Sequence, residues 1–247
     1  MIELEGKVVV LSPHLDDAVL SIGAGIRRAT RLSRAGVTTV TVMGCDPHSH
    51  APAGFWDRQS GFRTEGEAAR RRREEDRRAC QLVGASPVWL TFGDMTYGLG
   101  AEEDEVLAAI LPHLEGADLL LVPGFPLDHD DHLWLTDLTL RHLATRFKVA
   151  LYVEQPYVVW RSPRKFWRSA LNLAPATTDA IRTQVGDALD WRPLPADDED
   201  RMAKREACLA YRSQLRTLGG KAMLRRIARY EARYCGEPVA PIGDSRA

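Results

Sequence analysis

The sequence predicts an α/β fold of three layers: a mostly parallel sheet, helices on both faces and a helical C-terminal extension. Three observations carry this. Short apolar runs such as Val8-Val9-Val10-Leu11 and Leu119-Leu120-Leu121-Val122 have the length and continuity of strands buried on both faces. Amphipathic stretches alternate with them in a βαβα rhythm, the pattern of parallel strands joined by crossover helices. Clusters of His and Asp follow directly on both runs, and in parallel sheets ligands bind beyond the carboxyl ends of the strands.

Taken in order, Lys7–Ser12 reads as the first strand. Ala18–Ala35 follows as a helix, with Val19, Ile22, Ile26 and Leu32 at near-helical spacing. Val37–Met43 is the second strand. Residues 45–64, rich in Pro, Gly, Ser and His, form a long loop, a length often associated with function. Glu65–Val83 is a strongly charged helix ending at Gly84. Val88–Phe92, Ala117–Val122 and Val149–Tyr152 are further strands, separated by helices at Glu102–Leu114 and His132–Thr145. From Pro156 the pattern weakens. Asp200–Thr217 and Lys221–Tyr234 read as helices around a Gly219-Gly220 break, and residues 236–247, with two prolines and two glycines, read as a loose tail. The expected organisation is one domain over residues 1–247: an α/β core at 1–155, a C-terminal lobe or lid at 156–235, and the tail.

Composition removes several classes of function. The chain has 247 residues, 45% hydrophobic and 27% charged, as ordinary globular domains do. Lys+Arg 33 against Asp+Glu 34 leaves a net charge of −1, with no positive excess to attract nucleic acid or an anionic membrane. No run approaches the ~20 apolar residues of a transmembrane helix, and the first residues lack a signal peptide's pattern. Cys45, Cys80, Cys208 and Cys235 are scattered, without a CxxC pair, and read as reduced thiols in a cytoplasmic protein.

The two clusters carry the chemistry. His14-Leu15-Asp16-Asp17 follows the first strand, and Asp128-His129-Asp130-Asp131-His132 follows the fourth. Asp17 alone fits an N-cap, as does Asp130 or Asp131 for the later helix. Capping leaves the histidines unexplained. A dinucleotide-binding turn would carry G-x-G-x-x-G here, whereas this turn is rich in carboxylates. His and carboxylate together are ligands for a catalytic metal, zinc first, with another divalent ion such as Fe2+ as the alternative. His14 and Asp17 are expected on that metal with one histidine of the second cluster, leaving the other for proton or charge work.

At these residues the chain resembles the PIG-L/LmbE-type zinc-dependent N-deacetylases. Pro13-His14-Leu15-Asp16-Asp17-Ala18 matches the His and both Asp of the family's Ala-His-Pro-Asp-Asp-Glu motif. His129-Asp130-Asp131-His132 matches its His-Pro-Asp-His motif. Arg72 to Gly84, Asp94, and Ala210-Tyr211-Arg212-Ser213-Gln214 are similar to weaker family segments, so the likeness runs over residues 5–215. The resemblance implies a Rossmann-like fold, zinc on His14, Asp17 and His132, and Asp16 as general base. It further implies His129 as oxyanion stabiliser or general acid, Asp131 as a partner orienting a histidine, and Arg72 and Asp94 as substrate contacts. Three departures stand out: Leu15 for Pro, Ala18 for Glu, and Asp130 for Pro. The surplus of carboxylates is expected to raise the pKa of His129 through Asp128, Asp130 and Asp131.

Zinc chemistry suits amide hydrolysis, because a Lewis acid polarises the carbonyl and lowers the pKa of water. The resemblance makes the expected reaction removal of an acyl group, acetyl foremost, from an amino sugar or its glycoside. The other readings are an amidase acting on a larger thiol–sugar conjugate and a silent sugar-binding module. Nucleic acid and membrane are not expected partners, and a homo-oligomer stays open. The arginines at 70–73, 77 and 78 alternate with acids and read as a solvated, ion-paired helix face, Arg72 excepted. His48 and His50 could line a substrate mouth, and Trp160, Trp167 and Trp191 could stack on a sugar or pack structurally.

Overall fold

The structure, a computed structural model, describes residues 4–32, 36–94, 97–98, 100–160, 189–234 and 236–242. Strands β1 (Val8–Ser12), β2 (Val37–Thr41), β3 (Ser86–Trp89), β4 (Leu119–Phe125), β5 (Val149–Val153), β6 (Arg192–Leu194) and β7 (Glu237–Pro241) form one sheet. Its order is β3-β2-β1-β4-β5-β7-β6. The first five strands run parallel, and β7 lies antiparallel between β5 and β6.

The expected three-layer α/β architecture is present. The apolar run of β1 is buried on both sides, and its residues alternate between two cores. Val8 and Val10 pack with α1 (Asp17–Leu32) and α3 (Glu65–Val83). Val9 and Leu11 pack on the other face with Val106 and Ile110 of α4 (Glu103–Leu114) and Leu135 and Leu138 of α5 (Asp130–His142). This is the period-2 geometry of a central strand in a covered sheet. Helix α3 has the expected bounds, with Thr64 as N-cap and left-handed Gly84 (φ 79°) at its C-terminus.

The long loop contains the short helix α2 (Phe55–Gln59) and a bridge between Pro52 and Thr64. After β5 come α6 (Tyr157–Trp160), then β6, α7 (Asp198–Ala210), α8 (Arg212–Leu218) and α9 (Gly220–Tyr234). The predicted helix Asp200–Thr217 is thus two helices. They part at Tyr211, whose buried ring turns inward so that its hydroxyl donates to Asp76 Oδ1 at 2.7 Å. Helix α7 packs against α1 and α3 and shares their core. The rest of the expected lobe or lid, residues 161–188 with Trp167, lies outside the described residues.

The loose tail is the main correction. Residues 237–241 are β7, with Val239 and Ala240 fully buried. What holds the strand is not local. Helix α1 departs from helical geometry at Ile22 (φ −131°, ψ 24°), releasing backbone groups that need partners inside the protein. Glu237 supplies them, accepting from Ala24 N at 3.0 Å and Gly25 N at 2.7 Å. Lys204 donates to the Ser21 carbonyl at 3.2 Å, and to Glu231 at 2.5 Å and Glu237 at 2.6 Å. Burial works to lower the Lys204 pKa, but the charges of Glu231 and Glu237 outweigh it and hold the ammonium protonated. Gly25 has no room for a side chain, since a Cβ would lie 2.4 Å from Leu194 Cδ1.

Two stability measurements follow. Lys204→Met strands two acids around a helix break, and urea unfolding should show a loss of about 3–5 kcal/mol. Asp76 is the second case. It accepts from Trp89 Nε1 at 2.6 Å and from Tyr211, yet burial pushes its pKa from 3.8 up to about 6. Its ionisation therefore costs stability as pH rises from about 4 through 6. Measured against Asp76→Asn, the wild-type thermal midpoint should fare better at pH 4.5 than at pH 7; an equal difference at both pH values contradicts this.

Candidate metal centre

Strands β1 and β4 are parallel neighbours, Val10 pairing with Leu121, and the chain leaves them toward helices that begin at Asp17 and Asp130. With β2 on the far side of β1 and β5 beyond β4, this is the switch point of the sheet, where a crevice opens beyond the strand ends. Both His/Asp clusters lie there. Ser12 shapes the first turn: its hydroxyl donates to the His14 carbonyl at 2.6 Å and accepts from Ala18 N at 3.1 Å. Asp17 accepts from His14 N at 2.9 Å, closing the turn from the other side.

Three donor atoms converge. His14 Nδ1 is 3.2 Å from Asp17 Oδ2, His132 Nε2 is 3.2 Å from the same oxygen, and the two ring nitrogens are 3.3 Å apart. A tetrahedral ion with ligands at 2.0–2.1 Å requires donors about 3.3–3.4 Å apart. The residues therefore fit a zinc-sized cation without rearrangement. A second group, His14, His129 and Asp131, shares His14 with the first.

Carboxylates set the histidine tautomers. Asp131 Oδ2 lies 2.9 Å from His14 Nε2, so His14 donates there and turns the lone pair of Nδ1 to the triangle. Glu154, at the exit of β5, takes the Nδ1 proton of His132 and leaves Nε2 facing the same point. Glu154 also accepts from Leu127 N at 2.8 Å, in the loop that precedes the second cluster. His129 caps α5 through Nδ1, which accepts from Asp131 N at 3.3 Å, and this puts the neutral ring's proton on Nε2.

The field at this point favours a cation. Burial opposes charging His14, but hydrogen bonds to Asp131 and Asp17 prevail and raise its pKa. Burial likewise opposes charging His132, and the charges of Asp17 and Glu154 lift it to about 9. Burial would raise Asp17, but His132 and His14 hold it well below the carboxylate range. Asp16 is different: burial, and then the charge of Asp17, push its carboxyl up to about 7.

The pKa of His129 is lowered, not raised as expected. Burial is the main cause, followed by the charges of His14 and His132. Asp131 opposes this but lies closer to His14, and Asp128 and Asp130 are exposed to water that screens them.

The remaining predicted residues fall as follows. Arg72 pairs with the buried carboxylate of Asp57 at 2.5 Å, and its charge acts on Asp16. Asp94 Oδ1 accepts from Tyr97 N at 3.3 Å, and Tyr97 in turn donates to Asp57 at 2.5 Å. The charged helix face is only partly solvated. Arg71 and Arg77 pair with Glu75 and Glu74, while Arg73 turns inward to the carbonyls of Gly44, Cys45 and Leu90. His48 and His50 are exposed in the loop. Ala18, where the family motif has Glu, is buried in the hydrophobic core shared with α3.

Sequence reasoning missed Ser12, Glu154, Tyr157 and the Asp57–Tyr97 pair. Glu154 was findable: it is a carboxylate at the end of a parallel strand, the signal that singled out both clusters. Tyr157 carries no such mark, yet its ring lies edge-on to His132, with centroids 4.8 Å apart.

A family model described as PIG-L: GlcNAc-PI de-N-acetylase matches residues 9–143, more than half of the chain. No curated protein sequence matches. The solved A40926 pseudoaglycone deacetylase Dbv21 is 26% identical, with a TM-score of 0.72 over 97% of this chain and 98% of that one. The zinc-inhibited form of teicoplanin deacetylase Orf2 is 22% identical, with a TM-score of 0.75 over 97% and 99%. The fold is also that of GalB, a 4-carboxy-2-hydroxymuconate hydratase from Pseudomonas putida, at 17% identity and a TM-score of 0.54 over 98% of each chain. The fold thus accommodates more than one chemistry.

The His132–Glu154 pair makes a direct prediction. Glu154→Gln should weaken zinc binding by about 10–100-fold in a chelator competition, since such partners orient the ligand and raise its basicity. Unchanged affinity would leave Glu154 with a structural role only.

Proposed function

The chain belongs to the PIG-L (GlcNAc-PI de-N-acetylase) family, and from that premise we propose that it hydrolyses an N-acyl amide, acetyl foremost, on an amino sugar or its glycoconjugate. The observation that carries the reading is the donor triangle of His14, Asp17 and His132 with buried Asp16 beside it. These three residues would hold the metal, zinc by the chemistry of two imidazoles and one carboxylate. When bound, such an ion polarises an amide carbonyl and lowers the pKa of water.

The protein's own residues supply the proton chemistry. Asp16 lies within the ligand turn, between His14 and Asp17, and is the base that takes a proton from the attacking water; burial, and then the charge of Asp17, push its pKa up to about 7, where a base works best. His129 stands at the N-cap of α5 with Nδ1 engaged by Asp131 N, its ring edge-on to His14 with centroids 5.0 Å apart. It stabilises the developing oxyanion or protonates the departing amine. Asp131 holds His14 and caps no charge of its own in the reaction; it is a positioning residue. Arg72, held by Asp57 next to Asp16, and Asp94 are the polar groups assigned to the sugar.

The test is amine release from N-acetylated amino sugars and glycosides by protein loaded with zinc. Asp16→Asn should lower kcat by about 10²–10⁴-fold with one metal still bound. His129→Ala should lower kcat to a similar extent. Full activity of Asp16→Asn removes the base assignment, and absence of amine from every substrate removes the deacetylase reading.

A further inference from the structure

Helix α2, in the long loop of residues 45–64, exposes Phe55 and Trp56 and buries the acid that follows them, Asp57. A carboxylate inside the protein needs partners, and Asp57 draws two from distant segments. Arg72 of α3 pairs with its Oδ1 at 2.5 Å, and the Tyr97 hydroxyl donates to its Oδ2 at 2.5 Å. The same hydroxyl accepts from Gly54 N, at the N-cap of α2, at 2.6 Å. The phenol thus spends its proton and a lone pair on one short helix.

The other end of Tyr97 is engaged as well. Its backbone N–H donates to the Asp94 carbonyl at 3.0 Å and to Asp94 Oδ1 at 3.3 Å. One residue therefore holds the Asp94 side chain directly and the Arg72 side chain through Asp57. Arg72 is held without being saturated. Its side chain is 18% exposed, its charge acts on Asp16, and its buried Nε meets no acceptor among the described residues. A buried donor without a partner costs stability. What fixes the guanidinium in this place is the pair with Asp57, not the satisfaction of its own N–H groups.

We propose that Tyr97 is a positioning residue for substrate binding: its hydroxyl aims Arg72 through Asp57 while its backbone N–H aims Asp94. A single side chain then fixes the spacing of two polar groups that come from different parts of the chain, and ties both to the long loop. This rests on the deacetylase reading, which assigns Arg72 and Asp94 to the sugar. Tyr97 touches neither the donor triangle nor Asp16, so its contribution lies in binding and not in the chemical step. Groups that orient a contact residue in this way tune its affinity without meeting the ligand.

The experiment is a set of kinetic measurements on zinc-loaded protein with N-acetylglucosamine. Tyr97→Phe keeps the ring and removes the hydroxyl; it should raise KM about tenfold and leave kcat within about twofold. Asp57→Asn, of the same shape, should raise KM in the same way. In an Arg72→Gln background, Tyr97→Phe should change KM by less than about twofold, because the group it aims is gone. A loop staple without a role in binding would give the same rise in both backgrounds, and that result overturns the proposal while the deacetylase reading stands. Chelator competition should give Tyr97→Phe the zinc affinity of the wild type; a loss of zinc makes Tyr97 a structural residue and likewise overturns the proposal. Absence of turnover by the wild type removes the deacetylase reading and this proposal with it.

Discussion

The parallel ladder between β1 and β4 governs this molecule. It pairs Val8, Val9 and Val10 with Leu119, Leu120 and Leu121, and so delivers two remote chain segments to the same end of the sheet. Every residue in that pairing is buried or nearly so, which makes register a matter of core packing. A slip by one residue would turn the inward side chains to the wrong face. The donor triangle has sides of 3.2, 3.2 and 3.3 Å, and it inherits that accuracy from the core.

Electrostatics complete what packing begins. Each histidine of the triangle is held by a carboxylate on its outer nitrogen, Asp131 for His14 and Glu154 for His132. The arrangement gathers negative charge around a point with little water, a costly situation unless a cation is present. Protons serve in part, as the raised pKa values of both rings indicate. A divalent ion serves better, since it neutralises the carboxylates and uses both lone pairs. Asp16 lies close enough to feel Asp17 and yet forms no side of the triangle.

Much of this could be read from residue order. Buried parallel strands are continuous apolar runs, and ligand loops are polar clusters after them; both signals are local. The tail at 236–247 misled for the opposite reason. Pro238 and Pro241 argue locally against a strand, whereas Val239, Ala240 and Glu237 are held by α1, α7 and β5, far away in sequence. The helix break at Tyr211 likewise depends on Asp76 in α3. His129 was misjudged because counting nearby acids ignores which of them face water. Periodicity records neither partners nor solvent.

Glu237 has a consequence in time as well as in space. Ribosomes make His14, Asp17 and His132 long before residue 237, but the helix that begins at Asp17 keeps its open amides at Ala24 and Gly25 until that carboxylate arrives. Just before the break, the Ser21 hydroxyl accepts from Gln155 N at 3.0 Å, next door to Glu154. A nascent chain thus owns the donor residues before it can aim them. The aim of the donor triangle waits on β7, which lies between β5 and β6 and locks the first helix through Glu237.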